Sequence, residues 1–275
     1  MSFLKKAWTF IGIGISLIAL VVCIIHQSVK IDGFDTRKIS ITSRDFGIYM
    51  CDKTGKMRVT YNGDKEYGSV ILEKTDENFK NTYILDKGEP EIISCTYGNG
   101  SYTLKLYTHE PGIKDLEFVE EYKLDLNLSD MLAPFKGASY YTNYSTEIDD
   151  ISSSLKSDET AEFVNDAYKY MTSNIEYDDK FAELVKAGKV DIYKPKIKTT
   201  IADKKGICIS QASLLGSILK QKGIPVKVVI GYNDGNQYHA WIEAFVDGRW
   251  LLYDSTLKRT YLDGNTNAYE IVKYY

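Results

Sequence analysis

The sequence predicts an α+β domain in the second half of the chain, a small all-β sandwich-like domain in front of it, and a membrane helix at the N-terminus. Three observations carry this. An uncharged apolar run extends from Ala7 to Ile25, short alternating segments fill about Ile39 to Leu128, and helical spacing after Ser157 gives way to a strand and a tight hairpin. With 275 residues, 44% of them hydrophobic, the chain is long enough for one large or two modest cores. The formal net charge is −4 and Lys and Arg are scattered, so no face is offered to a polyanion and nucleic acid is not an expected partner. The 22 Tyr against 10 Phe and 3 Trp fit half-wetted β surfaces and point to no activity.

Residues 1–29 read as a membrane anchor. At about 1.5 Å per residue, the run from Ala7 to Ile25 spans roughly one bilayer core as a helix. The small-x-small exit of a cleaved signal peptide is missing, since Val-Val-Cys-Ile-Ile-His closes the run, so an uncleaved helix is expected. Cys23 follows Leu20, Val21 and Val22 without the small residue that lipid attachment needs, and reads as a small apolar member of the helix. Lys5 and Lys6 are answered by Lys30, Arg37 and Lys38, but a short basic tail before a long domain favours an extracellular remainder.

The β domain is expected over residues 30–130. Tyr102, Leu104 and Leu106 alternate with polar neighbours after a Tyr97-Gly-Asn-Gly-Ser101 turn, and Tyr122, Leu124 and Leu126 do the same, so each strand has one inward face. Cys51 and Cys95 could bridge two strands of an exported domain; two buried thiols are the expectation, because spacing alone does not set disulfide geometry. Residues 131–156, rich in Ser, Tyr and Thr, read as a linker to an α+β domain over 157–275.

That domain is expected to open with Ser157 as a helix start, with Phe163, Val164, Ala167, Tyr168 and Met171 on one side of a helix ending near Asn174. A shorter helix around Phe181 to Ala187 stops at Gly188, and a polar, basic loop covers Pro195 to Lys205. Ala212, Leu215, Ile218 and Leu219 then share a face of a buried helix whose N-terminus carries Cys208 and which closes at Gly223. Unpaired N–H groups and the helix dipole favour a thiolate there. Val226 to Tyr232 reads as a buried strand, and Asp247-Gly248 as a two-residue hairpin turn. If Val246 faces Arg249, then Trp241 faces Asp254, and His239 lies diagonal to Asp254 on the same face. Diagonal neighbours are roughly 7–8 Å apart at the backbone, within reach of a carboxylate and an imidazole.

An Asp accepting from one imidazole nitrogen fixes the tautomer and leaves the other nitrogen for a thiol, so Cys208, His239 and Asp254 make a candidate nucleophile, base and orienting acid. The other histidines, His26 and His109, lie beside the apolar run and inside the β region. No Cys or His cluster suggests zinc and no carboxylate loop has calcium-binding spacing, so neither metal nor cofactor is expected.

Lys205-Gly-Ile-Cys208, Ala212, Gly223-Ile-Pro225, Gly231-Tyr232, His239-Ala-Trp241, Asp247-Gly-Arg-Trp250 and Asp254-Ser-Thr256 together resemble the transglutaminase-like core, from about Ser157 to Leu257. Ser173-Asn-Ile-Glu-Tyr177-Asp is also similar to the family's upstream segment, and the front domain looks like those attached to such cores in exported bacterial proteins. The resemblance implies a papain-like fold with N-terminal helices, a nucleophile helix and an antiparallel sheet. It assigns Cys208, His239 and Asp254 as the triad, Tyr177 as an oxyanion candidate beside the Cys208 N–H, and Trp241 as a substrate-cleft candidate. Ile209, Gln211, Lys227 and Ser255 depart from the family's common residues, which bears on substrate preference. The implied activity is thiol-dependent acyl transfer or hydrolysis at protein or peptide amides, on a substrate that could be associated with the cell wall. A noncatalytic module holding a peptide or glycan in the same cleft is the alternative.

Overall fold

The computed structural model describes residues 40–51, 53–77, 79–112, 115–190, 192–261 and 269–275. The run 7–25, the anchor expected over 1–29 and Cys23 lie outside the described residues; among those described, no helix is long and apolar enough to cross a membrane.

The front region holds β1 (Ser40–Thr42), β2 (Phe46–Cys51), β3 (Lys56–Tyr61), β4 (Tyr67–Lys74), β5 (Lys80–Asp86), β6 (Pro90–Ser94), β7 (Gly100–His109) and β8 (Glu117–Leu126). They form two antiparallel sheets, ordered β1-β2-β3-β6 and β5-β4-β7-β8. The expected alternation holds: Tyr102, Leu104 and Leu106 are fully buried, and Val70 and Leu72 lie opposite Leu106 and Leu104. Phe46, Ile48 and Val59 of the other sheet belong to the same buried cluster. Each buried aliphatic side chain contributes about 1.5–3 kcal/mol, so a one-residue slip that turned a strand inside out is strongly disfavoured. Cys51 and Cys95 are buried and unbridged, and burial pushes the Cys95 thiol up to about 12.

The stretch expected as a linker contains a short 3-10 turn (Ala133–Phe135) and helix α1 (Thr146–Ser154). The Ser145 side chain caps α1 by accepting from the Ile148 N–H, and Ile148 and Ile151 are buried. Only those two apolar residues mark its inner face, between acidic residues and serines, which hides the period. Helix α2 (Thr160–Asn174) starts three residues after the predicted cap, because Ser157 donates to Asp166 at 2.6 Å instead of capping the first turn. Strand β9 (Glu176–Tyr177) and α3 (Asp179–Lys186) follow. The predicted Pro195–Lys205 loop also differs, since it carries α4 (Ile197–Asp203), anchored by buried Ile197 and Thr200.

Strand β10 (Lys205–Gly206) leads into α5 (Cys208–Gln221), which packs against α1, α2 and a five-stranded sheet. That sheet comprises β11 (Val226–Tyr232), β12 (Tyr238–Val246), β13 (Arg249–Asp254), β14 (Arg259–Thr260) and β15 (Glu270–Tyr274), in the order β14-β13-β12-β11-β15. Asp247 and Gly248 both have positive φ, 51° and 80°, as a two-residue hairpin turn matched to the strand twist requires. The register sets Val246 opposite Arg249 and runs as predicted to Ile242 opposite Tyr253.

Front sheets and α+β core make one compact unit, residues 39–275. Asn81 Nδ2 donates to the Tyr274 carbonyl at 2.8 Å, Tyr275 exchanges backbone hydrogen bonds with Val228, and its hydroxyl reaches the Thr82 carbonyl at 3.3 Å. A Lys194–Glu91 ion pair and the Tyr140 hydroxyl, donating to the Ile84 carbonyl at 3.1 Å, add to this seam.

Candidate active site

Two short strands set the entrance to α5. β10 pairs with β9 in parallel, placing Gly206 opposite Tyr177, two residues before Cys208. The Gln211 amide reaches back to the carbonyls of Gly206 at 3.1 Å and Glu176 at 3.2 Å, locking this junction. Cys208 follows as the first residue of α5 and is partly exposed. No side chain caps that first turn, so its N–H groups point ahead of the helix, where they favour a negative charge.

The hairpin supplies the other partners. His239 lies near the start of β12 and Asp254 at the end of β13; they are 7% and 1% exposed, so neither interaction is screened by bulk water. His239 Nε2 donates to Asp254 Oδ2 at 2.8 Å, the diagonal contact that the hairpin register predicts. With Nε2 so engaged, Nδ1 is the nitrogen left for Cys208, whose side chain is close enough to act on the imidazole's pKa. The structure therefore pairs His239 with Asp254 and leaves the Cys208 side chain close enough to influence the same imidazole. Burial alone would lower the imidazole pKa, but hydrogen bonds to Asp254 and Cys208 and their charges raise it to about 9.

Asp254 is fixed at both oxygens. Oδ1 accepts from the backbone N–H groups of Thr256 at 3.0 Å and Leu257 at 3.1 Å, closing the turn after β13. Oδ2 is shared by His239 and the Tyr269 hydroxyl, the latter at 3.0 Å.

Tyr177 is half-buried next to the nucleophile. Burial first, then the charges of Cys208 and nearby carboxylates, pushes its hydroxyl up to about 12, so it keeps its proton at neutral pH and can donate. Trp241 is not a cleft wall. It is 1% exposed, packs with Val229 and Leu252, and stacks behind His239 at 6.4 Å between ring centroids. Alternation along β12 directs it into this small cluster, where it packs against the imidazole.

Three tyrosines were not foreseen. Tyr193 shares a 2.7 Å hydrogen bond with Ser210, its ring edge-on to Phe181; Tyr238 stands 62% exposed against Tyr232. Burial raises both hydroxyls first; the Ser210 hydrogen bond opposes this at Tyr193, the Tyr232 phenol adds to it at Tyr238, and the Cys208 charge is a smaller cause in each. Tyr269 is the third; nothing in its local sequence pattern distinguishes it. Among the described residues, no group of three or more His, Cys, Asp or Glu is gathered to hold a metal.

Residues 148–255 match the family model of the transglutaminase-like superfamily. A search of the curated proteins finds no match. Solved structures similar to this chain include a candidate cysteine protease from Cytophaga hutchinsonii, at 15% identity and TM-score 0.45, with 86% of this chain and 74% of that one covered. LapG of Legionella pneumophila matches at 18% identity and TM-score 0.38, covering 47% of this chain and 72% of that one. A TGase matches at 20% identity and TM-score 0.34, over 40% of this chain and 30% of that one.

Proposed function

We propose that this chain, whose residues 148–255 match the family model of the transglutaminase-like superfamily, is a thiol-dependent enzyme acting on protein or peptide amide bonds. The observation that carries this reading is the buried His239–Asp254 hydrogen bond at 2.8 Å, beside a cysteine at the uncapped start of α5 whose side chain raises the same imidazole's pKa. Cys208 is the nucleophile, His239 the base and Asp254 the group that fixes the imidazole.

In this reading the Cys208 thiol gives its proton to His239 Nδ1, Sγ attacks the amide carbonyl carbon, the carbonyl electrons move to oxygen, and the oxyanion is met by the Cys208 N–H, with the Tyr177 hydroxyl as a second donor. As the oxyanion collapses the C–N bond breaks and His239 gives its proton to the departing amine, leaving a thioester on Cys208. Water or an acceptor amine then attacks the thioester while His239 Nδ1 takes the proton, the C–S bond breaks, and the thiol is restored. Asp254 holds Nε2–H throughout and stabilises the imidazolium without becoming protonated. The apolar run from Ala7 to Ile25 supports a further part of the proposal, that the enzyme is tethered to a membrane and faces outward.

Mass spectrometry of candidate peptides incubated with the full-length protein, with and without a small primary amine, tests the reaction. Transfer leaves the amine on the substrate and hydrolysis leaves an acid or a cleaved peptide. Cys208→Ala should abolish either product while the protein stays folded; a variant that works like wild type would refute the assignment.

A further inference from the structure

The match to known families ends at Ser255, and Tyr269 lies beyond it. We propose that Tyr269 is a positioning residue of this site: its hydroxyl, 3.0 Å from Asp254 Oδ2, holds the carboxylate in line with His239 and makes β15 and its approach a working part of the centre. The inference rests on the thiol-enzyme reading of Cys208 and His239 and deepens it.

Three contacts support the placement. First, Oδ2 has two donors, His239 at 2.8 Å and Tyr269 at 3.0 Å, while Oδ1 is occupied by two backbone N–H groups. With both oxygens occupied the carboxylate has no free rotation, and removing the phenol releases the oxygen that His239 uses. Two donors on Oδ2 favour the ionised carboxylate, whose acceptor oxygen keeps a proton on His239 Nε2 and leaves Nδ1 for the thiol. Second, the Tyr269 ring meets Trp241 edge-on at 5.0 Å, and Trp241 stacks behind His239, so one residue braces both the acid and the back of the imidazole. Third, the approach to β15 is built for this position. A Cβ on Gly231 would stand 1.9 Å from the Glu270 carbonyl oxygen and 2.9 Å from the Trp241 ring; the absence of that atom lets the backbone next to Tyr269 sit directly on β11.

The test uses the full-length protein in four forms: wild type, Tyr269→Phe, Tyr269→Leu and His239→Ala. Nitrogen-15 NMR of His239 above about pH 9, where the imidazole has lost its charge, reads its tautomer, and site-resolved mass spectrometry reads the rate at which iodoacetamide alkylates Cys208. Tyr269→Phe keeps the ring on Trp241 and removes only the hydroxyl. It should give a mixed Nε2–H and Nδ1–H population in place of a single tautomer and slow alkylation about fivefold or more. Wild-type behaviour of Tyr269→Phe in both readouts, with only Tyr269→Leu impaired, would reduce the residue to packing and overturn the inference alone. Wild-type alkylation indifferent to His239→Ala would overturn the reading of the site itself and the inference with it.

Discussion

His239 and Asp254 sit fifteen positions apart in the chain, yet their side chains meet at 2.8 Å because a two-residue turn folds one strand onto the next. The contact is held from the acid's side, since Asp254 also accepts from two backbone N–H groups and a phenol. Asp254→Ala should therefore cost both order and chemistry. Losing buried charge-assisted hydrogen bonds predicts a stability loss on the order of 2–4 kcal/mol in urea denaturation, and a His239 imidazole free to take either tautomer. An unchanged unfolding midpoint would mean that the turn after β13 holds itself.

The His239 pKa predicts a pH dependence. Its folded value of about 9 exceeds the ordinary 6.5, burial opposing and the bonds to Asp254 and Cys208 outweighing it. A base raised in this way stabilises the fold fully below about pH 6.5, and that stabilisation is lost as pH rises through about 9. Wild-type stability should fall across this window, and His239→Gln should flatten the fall. Amide turnover should decline above about pH 9 too, when no imidazolium remains to protonate the departing amine. Equal slopes for wild type and variant would place the titrating group elsewhere.

Gly231→Ala is predicted to unseat β15. The new methyl would stand 1.9 Å from a backbone carbonyl, which no rotamer change relieves. A destabilisation of about 1–3 kcal/mol or more is expected, with faster hydrogen exchange in residues 270–274 than elsewhere in the sheet. Uniform exchange with no loss of stability would contradict this account of the glycine.

At the far end of α5 from Cys208, Lys220 is 1% exposed and donates to Ser139 Oγ at 3.0 Å. Burial first, and the nearby Lys56 charge second, set its pKa well below the ordinary 10.5. In the unfolded chain the amine is protonated below about pH 10.5, so the folded state is penalised increasingly as pH falls from there. Lys220→Met should raise stability at pH 7 by about 1–3 kcal/mol. The gain should vanish above about pH 10.5. A destabilised variant at pH 7 would give the Ser139 hydrogen bond more weight than the buried amine.

These contacts divide into those that sequence pattern reveals and those it hides. The turn Asp247-Gly248 fixes a register, so the His239–Asp254 diagonal is legible before any coordinates, as are the ends of β11 and the start of α5 at Cys208. Helices α1 and α4 are not, because each buries only one or two apolar residues and leaves little period to read. Ser157 misled as a cap because its hydroxyl had a better partner in Asp166. Trp241 carries the chemistry of a cleft residue, and only the packing of Val229 and Leu252 around it reveals a buried support. Tyr269 is invisible for a related reason: its partner is fifteen residues back, in a contact made by chain topology and not by spacing.

The most direct test of the account is the rate at which iodoacetamide alkylates Cys208 in the full-length protein, followed by peptide mass spectrometry so that buried Cys51 and Cys95 are counted separately. An activated Cys208–His239 pair predicts labelling at about pH 6 that is roughly tenfold or more faster in wild type than in His239→Ala. Equal rates in the two proteins, each following an ordinary thiol titration, would contradict it and leave a cleft that binds without reacting.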